Sequence, residues 1–292
     1  MGLAFDHLIH FVQDPAAAAE ELQRSGFHAA VGGRHESLGT SNALVYFGLS
    51  YVELLGVYDR SVTERASHIP VMRQILSDLD IGEGPGTLAI RTSDLEATTA
   101  RLREQGLGVL GPYQGSRERP DGTVVRWSMT LLEPSYGELP LPFFIQWEQH
   151  DDDRRLELER EGSLQSHPRG DLELDYIGLA VEDAERTASE WGRWFGLPAG
   201  ETFEDQELQA WGRTLKLPGG NLVFLSPTGP GRVQDTLSLR GPRPFLIGLK
   251  PKAAGDHVSE GAGTGEGEHG SEHGKLSQEQ SYLGAVWKLP VA

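Results

Sequence analysis

The sequence contains no cysteine among its 292 residues. This absence excludes a disulfide framework, a zinc site built from thiolates and a cysteine nucleophile. It is also consistent with a reducing compartment, where thiols do not form lasting disulfides. Chemistry that depends on sulfur nucleophiles is therefore ruled out.

Long hydrophobic runs and basic residues are also scarce. No apolar run approaches the roughly 18 residues that span a membrane, and residues 1–6 lack a basic segment with an apolar one behind it. The 26 Lys and Arg residues are outnumbered by 43 Asp and Glu, so the net charge is −17. Such a charge repels phosphate and anionic lipid. We therefore expect a cytoplasmic protein that binds neither nucleic acid nor membranes.

Several catalytic motifs are missing as well. The sequence has no phosphate-binding loop, no Gly-x-Ser-x-Gly elbow and no dinucleotide-binding fingerprint. What it does have is 38% hydrophobic residues and six tryptophans, enough for one large or two ordinary globular cores. We therefore expect a folded protein.

A predicted strand leading into a helix opens the chain at residues 5–14. Strand alternation puts His7 on one face and Leu8, His10 and Val12 on the other, so His7 and His10 cannot bind one metal ion together. Leu8 and Val12 suit the face that packs on the helix, which leaves His7 facing a pocket. Asp14 is expected to cap the helix.

This opening recurs near residues 87–94 and again at 174–183, where LDYIGLAVED aligns without a gap with FDHLIHFVQD. Each opening begins a β-α-β-β-β pattern, and an internal repeat is strong evidence for a repeated fold. The sequence predicts an α+β fold of βαβββ units, paired into a cupped mixed sheet with the helices outside.

Composition suggests how these units are divided along the chain. We expect a first domain of two units at residues 1–150, a charged linker at 151–170, and a third unit with a partial fourth at 171–292. Residues 253–280 are dominated by Gly, Glu, Ser and His, and are expected to form a disordered insert.

Three features together resemble a known family. They are the opening Asp6-His7, the run Gly32-Gly33-Arg34-His35, and paired strands of which the second carries Glu53 between apolar residues. The sequence resembles the glyoxalase-like domain proteins, a bacterial branch of the vicinal oxygen chelate superfamily. The resemblance extends over residues 3–150 and more weakly over the C-terminal third.

The resemblance implies a particular metal site. In metal-dependent members, each of two paired units gives one ligand from its first strand and one from its last. His7 and Glu53 match this pattern, whereas the second unit offers Thr87 and Gln146. The resemblance thus implies a degenerate site of His7, Glu53 and Gln146 that holds a divalent ion weakly or not at all.

His7 and Glu53 are also the expected catalytic residues, with Glu53 as a base; the alternative is a structural hydrogen-bonded pair. An arginine within a predicted strand is better placed to contact a ligand than an arginine beside the turn at 120–123. On that basis Arg34 and Arg126 are preferred to Arg117 and Arg119. The candidate substrate-binding residues are Arg34, His35, Asn42, Arg126, Thr87 and Gln146.

Three functions stay open at this point. The first is an enzyme of lyase, isomerase or dioxygenase type, acting on an oxo or vicinal-oxygen carboxylate compound. The second is a protein that binds or sequesters a small molecule without turnover. The third is a structural role, which a buried carboxylate makes costly. A small molecule is the expected partner, and whether the chain also forms a homodimer stays open.

Overall fold

The computed structural model describes residues 2–118, 124–133, 138–252 and 277–290. Its strands fall into two sheets. The first sheet comprises β1 (Leu3–Phe11), β2 (Ala30–His35), β3 (Thr40–Phe47), β4 (Ser50–Val57), β5 (Gly84–Thr92), β6 (Val109–Glu118), β7 (Val124–Leu132) and β8 (Phe143–Trp147). The second comprises β9 (Leu172–Ala180), β10 (Ala199–Asp205), β11 (Ala210–Leu215), β12 (Asn221–Pro227), β13 (Arg243–Pro251), β14 (Ser277–Tyr282) and β15 (Ala285–Pro290).

Several of the helices begin at an aspartate that caps them. They are α1 (Pro15–Arg24), α2 (Arg60–Arg65), α3 (Pro70–Ile81), α4 (Leu95–Glu104), α5 (Asp151–Arg160), α6 (Ala184–Phe195) and α7 (Arg232–Arg240). Asp14, Asp94 and Asp183 accept hydrogen bonds from the first backbone N–H groups of α1, α4 and α6. These caps satisfy donors that have no partner within the helix.

The first sheet pairs two βαβββ units about a pseudo-twofold axis. Its strand order is β2-β3-β4-β1-β5-β8-β7-β6, and the central β1 and β5 run antiparallel. Leu8 of β1 lies opposite Leu88 of β5. The residue after Leu8, Ile9, lies opposite Thr87, and the residue before it, His7, lies opposite Ala89. The twofold relation therefore exchanges Ile9 with Ala89 and His7 with Thr87. The sheet curls until its two edges meet, since Gly33 of β2 lies against the side chain of Arg117 in β6.

The two faces of this sheet pack differently. Leu8 and Leu88 belong to a large core formed with α1, α4 and α6, which also takes in the second sheet. Ile9 and Ala89 belong to a smaller cluster inside the curl, together with Met72 of α3. The predicted strand parity and the α+β fold with helices outside are confirmed.

The second sheet repeats the same plan. Its order is β10-β11-β12-β9-β13-β15-β14, with β9 and β13 antiparallel at the centre. Most of the predicted disordered insert, residues 253–276, lies outside the described residues. Its last four residues, 277–280, lie in β14.

Polar contacts join the two halves of the molecule, which are the first sheet with its helices and the second sheet with its helices. Arg243 of β13 pairs with the buried Asp78 of α3 at 3.1 Å, and His10 Nε2 donates to the carbonyl of Leu283 at 2.6 Å. The predicted linker contains α5, whose Arg154 is buried against the first sheet. The domain boundaries at residues 150 and 171 stay a prediction. Within the described ranges, no helix is both long and apolar enough to cross a membrane.

His10 gives the fold a pH dependence. Burial lowers the pKa of His10 from 6.5 to about 4; the bond to Leu283 opposes this effect and the charge of Arg240 adds to it. Between these values the unfolded chain binds a proton that the folded protein does not, so stability falls as pH drops from 6.5 toward 4.

We expect this group to cost roughly 2 to 3 kcal/mol of unfolding free energy between about pH 7.5 and about pH 4.5, since one pKa unit is about 1.4 kcal/mol. Urea unfolding at both pH values should show a smaller loss in His10→Gln than in the wild type. His68→Gln removes a histidine that is outside the core and should leave the loss unchanged. Equal losses in all three proteins would contradict the assignment.

Candidate active site

A buried Asp–His pair lies at the base of the cup, the concave space inside the curled first sheet. His7 Nδ1 lies 2.7 Å from Asp6 Oδ1, so the ring N–H donates to this carboxylate. Both residues are buried, with 0% of Asp6 and 4% of His7 exposed. The contact fixes the orientation of the imidazole and leaves Nε2 facing the cup.

Asp6 is surrounded by cationic groups and donors. Its Oδ2 accepts from Trp147 Nε1 at 2.9 Å and lies 3.3 Å from Arg91 and 3.6 Å from Arg154. Burial alone would raise the pKa of Asp6. The charge of Arg154, the contact with His7 and the charge of Arg91 outweigh it and hold the pKa well below its usual range. Asp6 is therefore a permanent anion behind His7.

An irregularity in β1 makes the Asp6–His7 contact possible. Adjacent strand residues normally point to opposite faces. The pairing of β1 with β5 shifts register between Phe5 and His7, so Asp6 has no regular partner. A bulge of this kind redirects a side chain, and bulges are frequent beside functional sites. Regular alternation could not have identified Asp6 as a site residue.

Glu53 completes the buried array from the neighbouring strand β4. Its Oε2 lies 3.6 Å from His7 Nε2, and its Oε1 accepts from Asn42 Nδ2 at 2.6 Å. Asn42 Oδ1 in turn accepts from the backbone N–H of Gly33 at 3.0 Å. A Cβ at Gly32 would come within 2.0 Å of Asn42 Oδ1, so this glycine leaves space for the amide. His7, Glu53 and Asn42 therefore lie together in the structure.

His35 and Arg117 border the same array where the sheet edges meet. His35 bonds to Thr40 Oγ1 at 3.0 Å. Burial lowers the pKa of His35; the charge of Glu53 opposes this and that of Arg117 adds to it. Within the described chain, Arg117 has no carboxylate partner. A half-buried guanidinium that has no carboxylate partner among the described residues offers a planar pair of donors for a ligand carboxylate.

The fourth corner of the cup differs from the prediction. Glu53 lies opposite Ile9, and Phe143 lies opposite Ala89, the equivalent of Ile9. Phe143 is thus the equivalent of Glu53, and its ring meets the ring of His7 edge-on at 5.4 Å. Gln146 lies on the other face of β8.

The structure therefore corrects the assignment of Gln146 to the cup. Its side-chain oxygen accepts from the backbone N–H of Leu95 at the start of α4, 2.8 Å away. Thr87 does face the cup, but its hydroxyl donates to the carbonyl of Leu141 at 3.3 Å. Both side chains already have hydrogen-bond partners.

Two arginines predicted to bind the substrate also lie elsewhere. Arg34 is exposed and stacks on Tyr58, with its guanidinium carbon 4.8 Å from the ring centre. Arg126 is exposed and lies 3.8 Å from Glu148, in a surface ion pair. In β6 and β7 the inward positions belong instead to Arg117 and Trp127, because side chains alternate along each strand.

The donors do not fit the metal site that the resemblance implies. Two of the four corners, His7 and Glu53, offer ligands; Thr87 offers a neutral hydroxyl that is already bonded, and Phe143 offers none. A divalent site in a protein commonly needs three ligands. Across the described ranges, no three His, Asp or Glu side chains are grouped suitably.

Apolar and aromatic side chains form the wall of the cup. Tyr51 stacks on the imidazole of His7 at 4.6 Å between ring centres, and Trp127 and Trp147 lie 5.5 Å apart. The apolar cluster inside the curl also includes Ile9, Phe11, Leu131, Met129 and Ile145. Trp127 and Trp147 are half-buried, so aromatic surface adjoins the array.

The second sheet has no comparable array among its described residues. By the same symmetry, its four corners are Tyr176, Val223, Leu246 and Lys288. Lys288 Nζ lies 3.3 to 3.5 Å from three carboxylates, those of Asp205, Glu207 and Glu279. Burial alone would lower the pKa of Lys288, but these charges raise it. The second sheet thus has Tyr176 and Val223 at the positions of His7 and Glu53, and its ion cluster centres on Lys288, the equivalent of Phe143.

A double substitution tests which residues form the corners. Thr87→His with Phe143→Glu should create a four-ligand site, and equilibrium dialysis should show zinc binding at least about tenfold tighter than in the wild type. The matched control is Thr87→His with Gln146→Glu, whose new carboxylate lies on the helix-facing side. Equal gains in both variants would contradict the assignment of Phe143.

A second test concerns the buried charge of Asp6. Asp6→Asn leaves Arg91 and Arg154 without their shared anion, and we expect a loss of about 3 to 5 kcal/mol in urea unfolding. Asp151→Asn removes the half-exposed partner of Arg91 and should cost less than about 1 kcal/mol. Similar losses in both variants would show that Asp6 is not the anchor of the cluster.

Comparison with known proteins supports this architecture. Residues 5–195 match the glyoxalase-like domain family, and no curated protein matches the sequence. A hypothetical protein from Staphylococcus aureus superposes with a TM-score of 0.73 at 20% identity, covering 98% of both chains. A variant of 4-hydroxymandelate synthase from Streptomyces coelicolor gives 0.54 at 16%, covering 85% of this chain and 71% of its own. At these identities the similarity concerns the fold.

Proposed function

The chain belongs to the glyoxalase-like domain family, and from this premise we propose that the cup is the active site of a small-molecule enzyme. The proposed reaction moves a proton at a carbon next to a carbonyl group, as in isomerase and lyase chemistry. The observation that carries the proposal is the buried array Asp6–His7–Glu53, with distances of 2.7 and 3.6 Å.

Each member of the array has a proposed role. Glu53 Oε2, the oxygen not bonded to Asn42, takes the proton from carbon, and the bonding electrons move to the carbonyl oxygen. His7 donates a proton from Nε2 to the enolate oxygen formed in this way. Asp6 supports the positive charge on the imidazole before this transfer, since a buried carboxylate stabilises imidazolium. Reversal of these steps returns a proton to carbon.

The surroundings suggest the class of substrate. Arg117 offers a planar fork for a carboxylate, and the aromatic wall offers a surface for an apolar body. We therefore propose a 2-oxo acid with an aromatic or branched side chain. No step passes through a metal ion, because only two of the four corners offer metal ligands.

Hydrogen exchange tests the proposed reaction directly. Phenylpyruvate in deuterium oxide should exchange the hydrogens on the carbon next to its carbonyl, followed by proton NMR, faster with the protein than without it. Glu53→Gln should slow the catalysed exchange by about 100-fold or more, in line with the usual contribution of a general base.

The controls separate chemistry from binding. Glu148→Gln changes an exposed carboxylate and should retain wild-type exchange. Arg117→Gln should raise KM much more than it lowers kcat, because Arg117 binds the carboxylate, whereas Arg126→Gln should change neither. Wild-type exchange in Glu53→Gln would refute the proposed base.

A second candidate is binding without turnover. It is favoured by the short bond from Asn42 to Glu53 and by the packing of Tyr51 and Phe143 on His7, because these contacts restrain the reacting groups. Under this alternative, calorimetry should detect phenylpyruvate binding that depends on Arg117, while no exchange accompanies it.

A further inference from the structure

A cavity lies between the two halves of the molecule, away from the His7–Glu53 array. Its volume is about 340 Å³, at the lower end of the range of about 300–1,000 Å³ that is usual for small-molecule sites. Phe144 of β8 lines this cavity, while the adjacent Phe143 faces the cup. The two spaces therefore lie on opposite faces of one strand.

The cavity is bordered by two cations and by no acid. Arg101 of α4 and Lys216 after β11 are both among its lining residues, which include no Asp or Glu. Neither cation pairs with a carboxylate in the part of the chain that the structure describes. The chain has a net charge of −17, yet the charged side chains that line this cavity are both positive.

Other cations near the core do have partners. Arg154 pairs with Asp6, Arg243 with Asp78, and Lys288 with three acids. Burying charge without a partner is costly, so natural proteins compensate it. Arg101 is half-buried and Lys216 is exposed, so both can offer donors to an anion from solvent without breaking an ion pair to any carboxylate in the described ranges.

The C-terminus of α6 positions Arg101. Gly196 caps this helix in the left-handed conformation, with φ of 69°. A Cβ at this position would come within 2.2 Å of Arg101 Nη2, so the guanidinium lies against the glycine. Because no side chain intervenes, Arg101 stays at the edge of the cavity.

The rest of the lining is mostly apolar. Leu102, Trp194, Phe195 and Leu197 contribute to it beside Phe144. Aromatic and aliphatic walls of this kind bury an apolar body, while a few polar groups fix its orientation. We infer that this cavity binds a small organic carboxylate with an aromatic body, its carboxylate held by Arg101 and Lys216.

Isothermal titration calorimetry with 4-phenylbutyrate tests this site. The Arg117→Gln variant is used as background, so that binding in the cup does not contribute. We expect one equivalent of ligand to bind in this background, and 4-phenylbutanamide, which lacks the charge, to bind at least tenfold more weakly. Absence of binding at millimolar ligand would overturn the inference.

Matched variants in the same background locate the ligand. Arg101→Gln with Lys216→Gln should weaken binding at least tenfold. Arg103→Gln with Lys252→Gln, which removes the same charge from exposed positions, should change it less than twofold. Equal affinities in the two double variants would refute the role of the cations.

Fluorescence provides a second measure that does not depend on those variants. The ligand should change the tryptophan emission of the Arg117→Gln protein, and the change should be largely lost when Trp194→Phe is added, while calorimetry still detects binding. An undiminished change without Trp194 would contradict the location. Circular dichroism melting of every variant excludes unfolding as the cause of a loss.

Discussion

The buried carboxylate of Asp6 is the interaction on which the rest of the site depends. It is fully enclosed and shared among His7, Arg91, Arg154 and Trp147. A lone buried charge would cost several kcal/mol, so the surrounding donors must stay in place for the fold to hold it. These donors come from β1, β5, β8 and α5. The same anion that orients the imidazole therefore also joins four segments of the chain.

The two sheets share one topology but carry different side chains at equivalent inward positions. Both are built from paired βαβββ units around two antiparallel central strands, so each provides four equivalent inward positions. In the first sheet these are His7, Glu53, Thr87 and Phe143, which include the imidazole and carboxylate of the proposed reaction. In the second, an ion cluster centres on Lys288, the equivalent of Phe143. The proposed chemistry therefore belongs to the first cup, although the folds are alike.

The junction between the two halves is held by both polar and apolar contacts. Its polar contacts are specific, such as Arg243 with Asp78 and His10 with the Leu283 carbonyl, and its core is continuous across both sheets. The junction also contains a cavity bordered by Arg101 and Lys216, which have no carboxylate partner among the described residues. The junction therefore combines a structural role with the features of a binding region.

The sequence by itself determined the repeated units, the cap at Asp14 and the facing of His7, because each follows from local periodicity or capping, whereas Glu53 was identified through the family resemblance. It could not determine the register of β8, since Phe143, Phe144 and Ile145 are apolar on both faces and alternation gives no preference. The side predicted for Gln146 is wrong for this reason. The roles of Asp6, Arg117 and Arg154 depend on a bulge, on the meeting of two sheet edges and on a helix distant in the chain. Only tertiary structure decides these, because they arise from contacts between segments whose separation in sequence carries no periodic signal.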